Sequence, residues 1–203
     1  MIAIKVGLQE PHSARGRENN LMPKQKGFSL IELLIVVAII LIIAAIAIPN
    51  LLRARIAANE SSSVSSIRTV NTAEVTYLTA YPTVGYSANL VNLGPGAGNQ
   101  ACAATGPVFN ASCLLDSALA NNFGNGGKSG YQLSAAGTPV GAATTNVVYG
   151  VGAAPLVFNQ TGVRRFCSSE DGVIHFDPNT AGSTARTTTG VAACSAAPYL
   201  VLQ

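Results

Sequence analysis

From Leu33 to Ile48 every side chain is apolar, sixteen consecutive positions without a polar atom. With Phe28–Ile31 before it and Leu51–Leu52 after it, the apolar stretch reaches about 25 residues. At about 1.5 Å per residue, a helix of that length crosses a ~30 Å hydrocarbon layer. Beyond Pro49 the chain turns polar but keeps a helical period. Ile56, Val64, Ile67, Val70, Leu78 and Tyr81 recur near multiples of three and four, interleaved with Arg53, Arg55, Glu60, Arg68 and Asn71. One helix from about Phe28 to Thr79 is expected. Pro49 lacks an amide donor and should kink it or let it melt locally. Tyr81-Pro82 ends it, because the residue before proline is pushed out of the helical region. So thin an apolar stripe is marginal in water, so the distal half needs a head to pack on. The proximal half needs lipid or other copies of itself.

Residues 81–203 carry 17 of the 20 glycines. The stretch 82–130 is punctuated by Gly, Pro and Asn and reads as loop, with one short helix near Ser112–Ala120. Four β-rich runs come next, Tyr131–Ser134, Asn146–Val151, Gly162–Cys167 and Val173–Phe176, separated by turn residues. The pattern predicts an α+β chain with a long N-terminal helix on an antiparallel sheet.

Composition narrows the functional classes. Hydrophobic residues make up 48% of the 203 positions and charged ones only 10%, against about 25% charged in an average soluble domain. The net charge of +3 resides in residues 1–27, with five basic residues against two acidic, and the rest has seven of each. A neutral body gives no footprint for nucleic acid. Lys24 and Lys26 precede the apolar run, so the positive-inside rule keeps residues 1–27 cytoplasmic and exports the chain beyond the run. The run is too long for a removable secretory signal, and no A-x-A-like site comes after it. Glu32, four residues into the apolar run, has no role in a plain anchor, because a carboxylate at mid-bilayer costs on the order of 2.5 kcal/mol or more. Cleavage between Gly27 and Phe28 would create an α-amine one helical turn from Glu32, and in a low-dielectric layer the two charges compensate each other.

The run Lys26-Gly27-Phe28-Ser29-Leu30-Ile31-Glu32-Leu33-Leu34-Ile35-Val36-Val37-Ala38-Ile39, with Ala47-Ile48-Pro49-Asn50 after it, closely resembles type IV prepilins and the related type II secretion pseudopilins. The resemblance implies a pilin fold with a transmembrane half and an amphipathic half of one helix packed on an antiparallel head. It implies cutting after Gly27 by a prepilin peptidase, methylation of Phe28, and alignment of incoming subunits by Glu32 through a neighbour's N-terminal amine. The implied division is a leader 1–27, an assembly helix 28–52 with Pro49 near its end, an amphipathic continuation 53–80, a connecting loop 81–130 and a sheet with C-terminal loop 131–203. Implied partners are identical subunits in a helical homopolymer, the peptidase, an inner-membrane assembly platform, and lipid before assembly. The chain would sit once across the inner membrane with its head periplasmic, then pass into an extracellular pilus serving adhesion or motility. A start at Met22 would give the six-residue leader usual for this motif. The rival readings are a pseudopilin in a short periplasmic filament and a minor pilin whose head binds DNA or a surface, for which Arg164-Arg165 is the nearest basic cluster.

All four cysteines, Cys102, Cys113, Cys167 and Cys194, lie in the exported part. An even count there favours disulfides over a metal site, with three connectivities open. The favoured pairing is Cys102–Cys113 with Cys167–Cys194, the second tying the C-terminal segment to the sheet as pilins commonly do. No C-x₂-C or paired-histidine spacing suggests zinc. Gly124-Asn-Gly126-Gly127-Lys128-Ser129 lacks the first glycine of a phosphate loop, since Asn122 stands there. His175, between Ile174 and Phe176, reads as a structural residue with no G-x-S-x-G elbow near it. Glu170, Asp171 and Asp177 do not have the spacing of a calcium loop. Asn59, Asn110 and Asn159 each begin a glycosylation-like triplet of a kind that arises by chance. No catalytic residue, metal or cofactor is expected.

Overall fold

A computed structural model describes residues 27–96, 102, 106–122, 126–141, 144–178 and 194–202. The basic leader, most of the C-terminal loop and the first part of the Gly124–Ser129 segment lie outside the described residues. The chain divides into two compact units, Met1–Ile43 and Ala44–Gln203.

In the first unit the described structure is the beginning of helix α1, Leu30–Ala80, whose first turn carries Glu32. Every described residue of this unit is exposed. The helix is long and apolar enough to cross a membrane, with an eighteen-residue window of mean hydropathy 3.3. Its assignment runs through Pro49 without interruption.

The second unit holds the rest of α1 and the head. The head is an α+β, pilin-like arrangement: a five-stranded antiparallel sheet in which every strand pairs with its sequence neighbour. The strands are β1 (Tyr131–Thr138), β2 (Val148–Pro155), β3 (Arg165–Ser169), β4 (His175–Asp177) and β5 (Leu200–Val201). Four were expected. The fifth is only two residues long and exposed, too short to show an alternation. β1 and β2 run longer than their side chains suggest. Ala135, Ala136 and Gly137 have weak strand preference, but pairing with Val151, Gly150 and Tyr149 holds them extended.

The loop before the sheet contains a 3-10 turn, Leu90–Leu93, which its Gly-rich composition hid, with both end leucines buried. Helix α2 covers Ser117–Ala120 and not the Ser112–Ala120 expected. Asp116 caps it at the Leu119 amide, and Cys113 upstream has φ 59°, a left-handed conformation that a helix does not admit.

The core lies between α1 and one face of the sheet. Ile67, Val70, Ala73 and Tyr77 pack with Tyr131, Leu133, Tyr149, Val151, Ala153 and Phe166, and Leu90, Leu93 and Leu119 close the side. Strand alternation puts Cys167 on the opposite face, where it forms a small cluster with Cys194 and Tyr199. Gly162 is required by packing, because a Cβ there would meet the Tyr131 ring. The Tyr131 hydroxyl donates to the Arg164 carbonyl at 2.8 Å.

Glu74 is wholly buried in this core. The Ser87 amide donates to it at 2.9 Å and the Ser87 hydroxyl at 2.6 Å, which ties the connecting loop to the helix. Burial outweighs these bonds and raises its pKa to about 7 from an ordinary 4.5. A carboxyl raised in the folded state favours folding while protonated, and that advantage fades as pH rises from the unfolded value through about 7. The full-length chain in detergent should therefore melt at a lower temperature at pH 8 than at pH 5, a loss on the order of 3 kcal/mol. Glu74→Gln should raise the pH 8 melting point and remove most of the difference. Calorimetry at both pH values checks this, and an undiminished difference in the variant would overturn it.

Candidate assembly site

The residues singled out by sequence fall into two groups. Gly27, Phe28 and Glu32 lie at the start of α1. Phe28 precedes the first helical turn and is 80% exposed. A Cβ built on Gly27 meets nothing within 4 Å, so the fold imposes no glycine there. Pro49 lies inside the helix at an exposed position, after an apolar run that presents Leu33, Leu34, Ile39, Ile40, Leu41, Ile42, Ile43 and Ile46 with half or more of each surface uncovered.

The second group is the cysteines. Cys102 is bonded to Cys113 and Cys167 to Cys194, with Cα atoms 6.0 and 5.7 Å apart. The second bridge closes a separation of 27 residues and fastens the segment before β5 to β3. Among the described residues no group of three or more His, Cys, Asp or Glu is placed to hold a metal ion.

The helix is seated on the head by residues that the sequence pattern presented as outward-facing. Glu60 is buried and accepts the Val163 amide at 3.0 Å, the Arg164 amide at 3.1 Å and the Arg164 Nε at 2.8 Å. The Arg164 Nη2 completes the ion pair at 2.7 Å. The same guanidinium lies 5.6 Å from the centre of the Phe166 ring and 5.4 Å from that of Phe176. Asn59 Nδ2 donates to the Thr161 carbonyl at 2.8 Å, and Asn71 Nδ2 to Ser168 Oγ at 2.7 Å. Arg165 pairs with the buried Asp177 at 2.6 Å. The Arg164-Arg165 cluster is thus engaged within its own head. Asp171 receives the Val173 amide at 3.0 Å and closes the β3–β4 turn.

Glu60 and Glu74 were the residues that sequence reasoning missed. The signal was present, since each stands seven positions from Ile67, two helical turns away on the buried face.

An uncovered apolar helix leading into an antiparallel head defines a pilin-like subunit. Comparison with known proteins agrees. Residues 22–48 match the prokaryotic N-terminal methylation motif. The chain is 36% identical over 84 residues to the type IV major pilin protein PilA of Myxococcus xanthus, covering 41% of this chain and 38% of that protein. It is 65% identical over 40 residues to the type IV wide pilus major component PilA4 of Thermus thermophilus, covering 20% of this chain and 30% of that protein. The motif and these likenesses together support a type IV pilin. The matches span well under half the length of either relative, and no solved structure matches the chain.

Removing the Glu60 carboxylate leaves two backbone amides and a guanidinium without their acceptor. Glu60→Ala should cost about 2–4 kcal/mol of stability, measured by urea unfolding in detergent. Arg68→Ala, an exposed change on the same helix, should stay within about 0.5 kcal/mol. Equal effects of the two substitutions would show that the pair does not hold the helix.

Proposed function

We propose that this chain is a structural subunit of a type IV pilus. The observation that carries the reading is the sixteen-residue apolar run, whose leucines, isoleucines and valines are all exposed among the described residues and which lies largely within the methylation motif at residues 22–48. A helix apolar all round is stable in lipid or among its own kind and scarcely stable in water. Moving it from bilayer to bundle exchanges one apolar surrounding for another. Head-to-tail stacking of such helices is a heterologous contact that does not close on itself, and so builds an open filament.

In this reading the leader is cytoplasmic, a prepilin peptidase cuts after Gly27, and Phe28 receives the methyl group. The chain waits in the inner membrane with its head periplasmic. It then joins identical subunits on an assembly platform, through residues 28–80, and emerges in a surface filament for adhesion or motility. Glu32 sets the register, because any alignment that leaves its carboxylate buried and unpaired is penalised. The role is mechanical and includes no catalytic step. The ion pairs of Arg164 and Arg165 weaken the nucleic-acid reading of the head, since each guanidinium already faces a carboxylate of its own chain.

Protein recovered from sheared filaments should begin Phe-Ser-Leu-Ile-Glu with a methylated first residue, by N-terminal sequencing and mass spectrometry. An intact leader on assembled material would refute the processing. Glu32→Ala should leave cleavage unchanged and abolish filaments seen by electron microscopy. Normal filaments in that variant would remove Glu32 from assembly. Fibres confined to the periplasm would favour the pseudopilin instead.

A further inference from the structure

Beyond the leader the chain has seven acidic residues. Six have partners inside their own head. Glu60 and Asp177 are in ion pairs, Glu74 holds Ser87, Asp116 caps α2, Asp171 closes a turn, and Glu170 is also engaged. The seventh, Glu32, stands in the apolar run. The arginines of α1, Arg53, Arg55 and Arg68, are exposed, and none has an acidic partner among the described residues. Lys128 likewise has no ion pair among the described residues, and Arg186 lies outside them, so Glu32 and the three helix arginines are the charges of α1 left to be matched between molecules.

The surroundings of the three arginines differ. Arg53 borders a largely apolar cleft of about 400 Å³, whereas Arg68 borders a more polar one beside Ser61 and Ser65. Ile56 and Ala57 of α1 form one side of the cleft, Val163 and Pro178 also line it, and so does the Glu60–Arg164 pair. The lining is therefore largely aliphatic, with two guanidinium groups against one carboxylate. Glu60 already serves Arg164 and two amides, so it does not neutralise Arg53. The chemistry that fits is an apolar helix surface carrying a single carboxylate. Residues 28–40 of a second copy have that composition, with Glu32 as their only charged side chain.

We propose that the Arg53 cleft docks the first turns of α1 from a second copy, with Glu32 of that copy paired to Arg53. The inference rests on the pilus reading and adds to it a named seat on the head. Glu32 then meets two cations, the α-amine at one carboxylate oxygen and the Arg53 guanidinium at the other. Aliphatic side chains near the apolar tip fill the space between Ile56 and Pro178, where water would otherwise lie against apolar walls.

A photo-reactive benzoylphenylalanine in place of Ala57, activated in intact filaments, reads the neighbour directly by mass spectrometry. The expected product joins position 57 to residues 28–40 of another copy. Crosslinks solely to another head, or to lipid, would overturn the proposal. In the second arm Arg53→Ala should lower the yield of sheared filaments at least tenfold, with cleavage and membrane level of the subunit unchanged. Arg53→Lys should recover part of the yield, and Arg68→Ala should assemble normally. Wild-type assembly of Arg53→Ala, or an equal loss in Arg68→Ala, sinks the cleft while leaving the pilus reading intact. Normal filaments in Glu32→Ala would likewise sink the Glu32–Arg53 pair, whereas absence of this chain from sheared filaments would strike the pilus reading itself.

Discussion

The rest of the structure answers to one constraint: among the described residues, nothing covers the apolar first half of α1. Sixteen aliphatic side chains in succession can be removed from water only by lipid or by other molecules. At roughly 25 cal/mol per Å² of apolar surface, that demand outweighs any single polar contact in the head. Neither surrounding supplies a directional cue, since lipid tails and leucine side chains are alike in polarity. In the proposed filament, position must then be specified by something other than apolar area, which is the role proposed for the carboxylate of Glu32.

The distal half of the same helix is fixed in a different manner. Its buried face mixes Ile67, Val70 and Tyr77 with Glu60, Ser63, Ser66 and Glu74. A seat of this composition has modest apolar area but many demands on geometry. Glu60 is satisfied only where the Val163 and Arg164 amides converge, and Glu74 only beside Ser87. Sliding the helix by one turn would bury both carboxylates without donors. Polar groups thus give a thin apolar stripe a single register against the sheet.

How much of this could be read from the sequence depended on periodicity. Helix α1 was legible almost to the residue, from an expected Phe28–Thr79 to the observed Leu30–Ala80, because apolar run, helical period and terminating Tyr81-Pro82 all agree. Four of the five strands were legible too, though not their ends. Gly162–Arg164 reads as strand but approaches the Tyr131 ring and the Glu60 carboxylate, so β3 starts at Arg165. Leu90–Leu93 was hidden by the glycines and prolines around it. Glu60 and Glu74 were hidden by their charge, which places them outside on any hydropathy count. Their partners are backbone amides and a serine far along the chain, and no local pattern announces such partners.

The two faces of the sheet are stabilised by different means. The inner face relies on packing and hydrogen bonds to α1, whereas the outer face has a cystine between Cys167 and Cys194, backed by Tyr199. A covalent tether tolerates a wide choice of neighbouring side chains, because it works chiefly by restricting the unfolded chain. The outer skin of the sheet consequently depends less on which side chains surround it than the face that grips α1 does.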